Sequence, residues 1–197
     1  MNYLLLGNAA IEDEALARQG EWADVIVQMN KCRHLGRVPM AKTSHVVVTN
    51  TGSPTAGIVR FFLKATGRKL LPETRLLFTR NERFYAEKME RLRRAGSAWA
   101  PKFEVTFQKN MVEGKAPILE VDHAFSEALE ARMRAEGMHE WQMPSTGMVA
   151  FAWFEATLAP GDAIRLIGFT HEGWGGHPWA AEKRLLAPYM AQSPLAV

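Results

Sequence analysis

His171 and His177 stand on either side of a glycine-rich stretch, Gly173, Gly175 and Gly176, and His177 leads into Pro178-Trp179-Ala180-Ala181-Glu182. An imidazole with an ordinary pKa near ~6.5 accepts an alcohol proton at neutral pH, so a histidine on such a loop suits a general base. Glu182 is expected to orient or electrostatically support His177 across one helical turn. The plainer reading is two loop histidines with no catalytic task. A metal reading of His171, Glu172, His177 and Glu182 is weak, because the His-Glu-x-x-His pattern is absent and no third strong ligand is in view.

Pro144-Ser145-Thr146-Gly147 runs into the apolar Met148-Val149-Ala150-Phe151-Ala152-Trp153-Phe154. Hydroxyls and unpaired backbone N–H groups at a helix start make an anion site, since the helix dipole favours negative charge there. An ordinary Ser/Thr cap on a buried helix has the same sequence. Further polar residues follow predicted strands: Gly7 and Asn8, Asn30, Asn50 with Gly52, Asp122 with His123, and Gly168 through His171. Asparagine is a common turn residue, but its amide both donates and accepts, which also suits ribose hydroxyls, phosphate oxygens or a pyrimidine edge.

The elements that must position these residues alternate. Apolar or β-branched runs predict strands at Tyr3–Leu6, Asp24–Asn30, Ser44–Thr49, Arg75–Thr79, Phe103–Phe107, Pro117–Val121 and Ala163–Phe169. Between them fall predicted helices from Ile11 to Gln19 (stopping at Gly20), from Ser53-Pro54 through Leu63, from Asn81 to Arg94, from about Phe125 to Arg134, from Ser145 to about Leu158, and near Trp179 to Met190. Parallel neighbours need crossovers, and these are normally helical. The pattern therefore predicts one α/β domain over residues 1–197, a three-layer Rossmann-like fold with a mostly parallel sheet and helices on both faces. In such sheets ligands bind beyond the carboxyl ends of the strands.

The 197 residues carry a net charge of +3 with 47% hydrophobic and 23% charged side chains, an ordinary globular balance. The single cysteine, Cys32, excludes an intramolecular disulfide framework and fits a reducing compartment. Its neighbours Lys31 and Arg33 are of a kind that lowers a thiol pKa, yet without a resolving cysteine it reads as incidental. The N-terminal apolar run is too short for a signal h-region or a membrane span, so a cytoplasmic protein without a transmembrane segment is expected. Arg80, Arg83, Lys88, Arg91, Arg93 and Arg94 crowd one helix, but Glu82, Glu87 and Glu90 interleave at helical spacing, which predicts a solvated face. No basic stripe with stacking aromatics is present, so nucleic acid is not expected as a partner. Trp141, Trp174 and Trp179 either wall an apolar pocket near the glycine-rich loop or simply pack.

Taken in order, the motifs resemble those of the sialyltransferases. Leu6-Gly7-Asn8 with Asp24–Asn30 resembles the long sialylmotif, Pro144–Gly147 with Leu166-Ile167-Gly168-Phe169 the short one, and His177 to Glu182 the very short one, His-x-x-x-x-Glu. The match covers roughly the first thirty and last fifty residues. The resemblance implies a GT-A-variant fold and inverting transfer of a sugar from a CMP-activated donor of the sialic-acid type to an acceptor glycan or small molecule, with no obligatory metal. It also implies roles: Asn8 and Asn30 on the CMP ribose and phosphate, Ser145, Thr146 and Gly147 around the nucleotide, His177 as base, and His171 beside the leaving phosphate. Gln28 stands where that family usually has arginine, the paired cysteines of the animal enzymes are missing, and the chain is short for a complete transferase. Short bacterial proteins of this general kind also carry the label of urease operon accessory protein, a likeness of group and not of function. The alternative is a nucleotide-binding accessory or regulatory protein that keeps the pocket without the acceptor site. A third reading is an interaction protein whose basic helix, Arg80 to Arg94, docks an acidic partner or nucleic acid.

Overall fold

Polar residues punctuate the apolar runs of this chain, and the computed structural model, which describes residues 1–50, 74–97 and 117–191, shows what those runs build. Strands β1 (Asn2–Leu6), β2 (Val25–Met29), β3 (Thr43–Val48), β4 (Arg75–Phe78), β5 (Ile118–Glu120) and β6 (Ala163–Ile167) form one sheet in the order β5-β4-β3-β2-β1-β6. Every pairing among the described residues is parallel. The helices are α1 (Asp13–Trp22), α2 (Glu82–Arg94), α3 (His123–Ala135), α4 (Thr146–Glu155) and α5 (Trp179–Leu186). Expected elements at Ser53–Leu63 and Phe103–Phe107 lie outside the described residues.

Alternation along the strands divides the core between two faces. Leu4, Leu6 and Ile26 pack with Leu16 of α1 and Val38 on one side. Leu5, Val27, Val47 and Leu77 pack on the other against Leu129 and Met133 of α3, Phe151 and Phe154 of α4, and Leu186 of α5. This is the expected α/β Rossmann-like arrangement, with helices on both faces.

Helix starts follow from the caps. Asn81, Asp122 and Ser145 each accept a hydrogen bond from the backbone N–H three residues on, which supplies acceptors for the orphan donors of α2, α3 and α4. Gly20 does not end α1, which runs on to Trp22. A Cβ at Gly20 would meet Pro39 Cδ at 3.4 Å, an ordinary van der Waals contact, so the helix passes through this position without needing glycine for room.

The strand order has one reversal. From β1 the chain steps outward through β2, β3, β4 and β5, then returns to place β6 on the free side of β1. The carboxyl ends of β1 and β6 therefore flank the topological switch point, where the loops leaving adjacent strands diverge and open a crevice. Among the described residues no helix is long and apolar enough to cross a membrane.

Candidate functional site

Beyond the last β1–β6 rung, Gly7 N–H donates to the Ile167 carbonyl at 2.8 Å and Ala9 N–H to the Gly168 carbonyl at 3.1 Å, so the two loops leave the sheet together. A Cβ on Gly7 would lie 2.1 Å from the Gly168 oxygen, which is why no side chain fits there. Gly168 has φ +78°, a left-handed conformation that glycine adopts without strain. From behind, buried His34 bonds the Ala9 carbonyl at 3.1 Å, and Arg37 holds the Ile11 carbonyl at 2.8 Å.

Above this floor opens a cleft of about 370 Å³, within the range of ~300–1,000 Å³ usual for small-molecule sites. Its walls include Gly7, Asn8, Asn30, Ser145, Thr146, Gly147, Gly168, His171, His177 and Glu182, so every site residue expected from the sequence reaches one cavity. The motifs also contact one another. A Cβ at Gly147 would meet the Phe169 ring at 2.5 Å, so the Ser145–Gly147 turn packs directly on the Gly168-Phe169 turn and a side chain at 147 would displace that ring.

Several expected roles change at this resolution of detail. The Ser145 hydroxyl donates to Glu182 Oε2 at 2.6 Å and accepts from Met148 N–H at 3.1 Å, so it is a helix cap rather than a ligand group. Glu182 also accepts the Ser145 N–H at 2.6 Å. The expected Glu182–His177 support is therefore replaced by a Glu182–Ser145 clamp. Burial pushes the Glu182 carboxyl up, against the pull of those two bonds and of Arg80. Asn30, at φ +49°, uses its side-chain oxygen on Thr49 N–H at 3.0 Å and thereby ties β2 to β3 while lining the cleft.

His177 is more constrained than a loop histidine need be. Its Nδ1 lies 2.7 Å from the Met143 carbonyl, and Trp174 and Trp179 pack T-shaped with its ring, each with centroids 4.9 Å away. Burial first, and the Arg80 charge after it, lower its pKa to about 4 against the opposing Met143 bond. A base so weak is neutral at physiological pH but takes up protons poorly, which argues against the general-base role. His171 holds φ +54° on the rim, its pKa lowered by burial and then by Lys183.

Other polar residues singled out in the sequence lie elsewhere. Asn50 exchanges two hydrogen bonds with the Arg80 backbone, at 2.9 and 3.0 Å, joining the ends of β3 and β4. Asp122 caps α3, and His123 bridges Glu87 at 2.8 Å and Glu127 at 3.4 Å, each carboxylate facing a different ring nitrogen. That division reads as a tie between α2 and α3 rather than a shared cation site. Gln28 is buried in the sheet, its amide reaching Thr43 at 3.5 Å, and is not part of the cleft lining. Cys32 is buried and its thiol is pushed up to about 12 by desolvation, the reverse of activation by Lys31 and Arg33. The basic segment is not wholly solvated either, since Lys88 of α2 and Arg80 just before its cap are buried. Trp141 packs with α2 and Met143, whereas Trp179 lines the cleft.

The cationic residue of the cleft was named in the sequence only as a neighbour of Cys32, not as a site residue. Arg33, exposed on the loop after β2, brings a guanidinium to the cavity. Its only sequence signal is a basic residue shortly after a strand end. The α4 start adds the N–H groups of Thr146 and Gly147, which precede the one that the Ser145 cap engages. The cleft thus combines cationic and amide donors with an indole and a neutral imidazole.

No family model matches the chain. The urease operon 23 kDa accessory protein of Rhizobium meliloti (strain 1021) is 26% identical over 202 residues, which span 98% of this chain and 90% of that protein. This end-to-end match corrects the resemblance drawn from the motifs. The expectation of a sialyltransferase, and with it of glycosyl transfer, is overturned by a full-length similarity to an accessory protein. The motif segments do meet in space, but what they share is the construction of a crevice beside β1 and β6.

Proposed function

We propose that this chain is a nucleotide-binding accessory protein, which holds a phosphate-bearing ligand in the switch-point cleft and acts through binding on another protein system. The observation that carries the reading is the convergence of Asn8, Arg33, the α4 amino terminus and Trp179 on one cavity at the β1/β6 crevice. Arg33 and the first-turn amides favour phosphate, and Trp179 offers an apolar surface for a base or sugar. The accessory role is carried over from the printed name of the Rhizobium meliloti relative, as is urease as the first system to examine. A cytidine nucleotide is the first ligand to test, because paired donor and acceptor amides suit a pyrimidine edge. A cytoplasmic location belongs to the same reading.

Titration calorimetry with CMP and other nucleoside monophosphates tests the ligand, with binding in the micromolar range expected. Failure to bind any nucleotide at millimolar concentration removes the nucleotide part. Deleting the coding sequence in a urease-positive host tests the other half, with a fall in urease activity expected. Unchanged urease activity removes the accessory role.

A further inference from the structure

We propose that His177 is the specificity-determining residue of the cleft: its Nε2 accepts a hydrogen bond from the ligand and selects nucleotides that present an O–H or N–H donor at that point. The inference rests on the nucleotide reading above and adds what the ligand must carry.

A neutral imidazole has one donor nitrogen and one acceptor nitrogen. The Met143 carbonyl, 2.7 Å from Nδ1, can only accept, so the proton sits on Nδ1 and the lone pair on Nε2. Met143 stands behind the wall and is absent from the cleft lining, whereas the imidazole is part of it. The ring edge opposite Nδ1 therefore faces the cavity. Among the described residues Nε2 has no protein partner, and it is not among the side-chain atoms sealed from solvent without one.

The tautomer is also locked. Turning the ring over would break the Met143 bond, and the ring is packed T-shaped against both Trp174 and Trp179. The Trp174 ring lies over Gly176, where a Cβ would be 2.1 Å away, and its carbonyl accepts from Trp179 Nε1 at 3.1 Å. Becoming a donor by taking a second proton is opposed by desolvation and by Arg80. A ligand that presents only an acceptor leaves two lone pairs facing each other in a partly dehydrated site, which discriminates by roughly ten- to a hundredfold.

The test is a calorimetric panel on the intact chain: CMP against UMP and AMP against IMP, which exchange an exocyclic amine for a carbonyl, and CMP against 2′,3′-dideoxy-CMP, which removes the ribose donors. The expected result is a ten- to hundredfold loss in either the amine or the hydroxyl comparison, and the comparison affected names the donor. In His177→Phe that preference collapses, while His177→Gln, which keeps an acceptor, restores part of it. Quenching of Trp174 and Trp179 fluorescence supplies a second readout at the same ring. Should His177→Phe fail to fold, the panel on the unmodified chain decides alone. Equal affinities across the panel, or a preference that survives in His177→Phe, overturn the inference alone. Binding of none of these ligands overturns the nucleotide reading and the inference with it.

Discussion

Two regions of this molecule take charged and polar groups out of water, and they differ in whether the groups are fully used. Between α2 and α3, Lys88 is fully buried and donates to Glu130 at 2.8 Å and to the Gln142 carbonyl at 2.8 Å. Glu130 also accepts from Arg134 at 2.9 Å. The network closes on itself, and desolvation lowers the Lys88 pKa against the pull of Glu130. At the cleft the same kinds of group are held from one side only. His177 is tied through Nδ1, Asn30 through its oxygen and Ser145 through Glu182, while Arg33 and the first amides of α4 remain open. A closed network fixes structure, whereas a half-closed one presents donors and acceptors to a ligand without rearrangement.

The largest expected effect breaks the closed side. Glu130→Ala leaves the buried Lys88 ammonium without its carboxylate and is expected to cost about 3–5 kcal/mol in urea unfolding. Under folding conditions its nucleotide affinity stays at the wild-type value; a parallel loss of affinity would erase the distinction between the two regions.

Acid comes next. His177 and His45 both have folded-state pKa values lowered to about 4 from an ordinary 6.5, chiefly by burial. Between those values the unfolded chain binds the protons first. Their contribution is therefore complete above pH ~6.5 and disappears as pH falls toward 4, on the order of 3 kcal/mol for His177 and less for His45, where solvent screens more. Glu182, with its carboxyl shifted upward, works in the opposite direction and offsets part of the loss. Thermal melts at pH 7 and pH 5 check this, and an unchanged melting temperature contradicts it.

A smaller change of stability follows from Gly7→Ala, since the new methyl group meets backbone rather than a yielding side chain. A loss of about 1–3 kcal/mol is expected, with nucleotide binding weakened because the cleft floor must part. The least disruptive variant is Arg33→Ala. Stability should stay within about 0.5 kcal/mol, as for exposed positions generally, while affinity for a nucleoside monophosphate falls about tenfold and depends less on salt. Full affinity in Arg33→Ala places the anion elsewhere.

Much of this architecture was legible in the chain. Short β-branched runs alternating with helices named the parallel sheet, and the polar residues after β1, β2 and β6 marked its carboxyl edge. The features that stayed hidden depend on partners distant in sequence. Lys88 has the same i,i+3/i+4 surroundings as its exposed neighbours, and its burial is made tolerable by Glu130 and the Gln142 carbonyl, 42 and 54 positions away. Gly20 resembles a helix stop, yet α1 runs through it to Trp22. Ser145 and Glu182 looked like separate functional groups because nothing local reveals that one clamps the other. Even correct convergence of the motifs did not disclose the activity, since a crevice at a strand reversal follows from topology and serves many chemistries.

The position of β6 has a consequence for how the protein comes into being. It pairs with the first strand across about 160 residues, with Asn2 opposite Ala163, and the terminal amino group meets Asp162 at the same edge. Loop-closure entropy makes such a rung the one expected to close after the more local pairings, and stopped-flow refolding checks this. The ligand chamber needs both sides of that pairing, so an occupant that binds only the closed form would act as a latch on it.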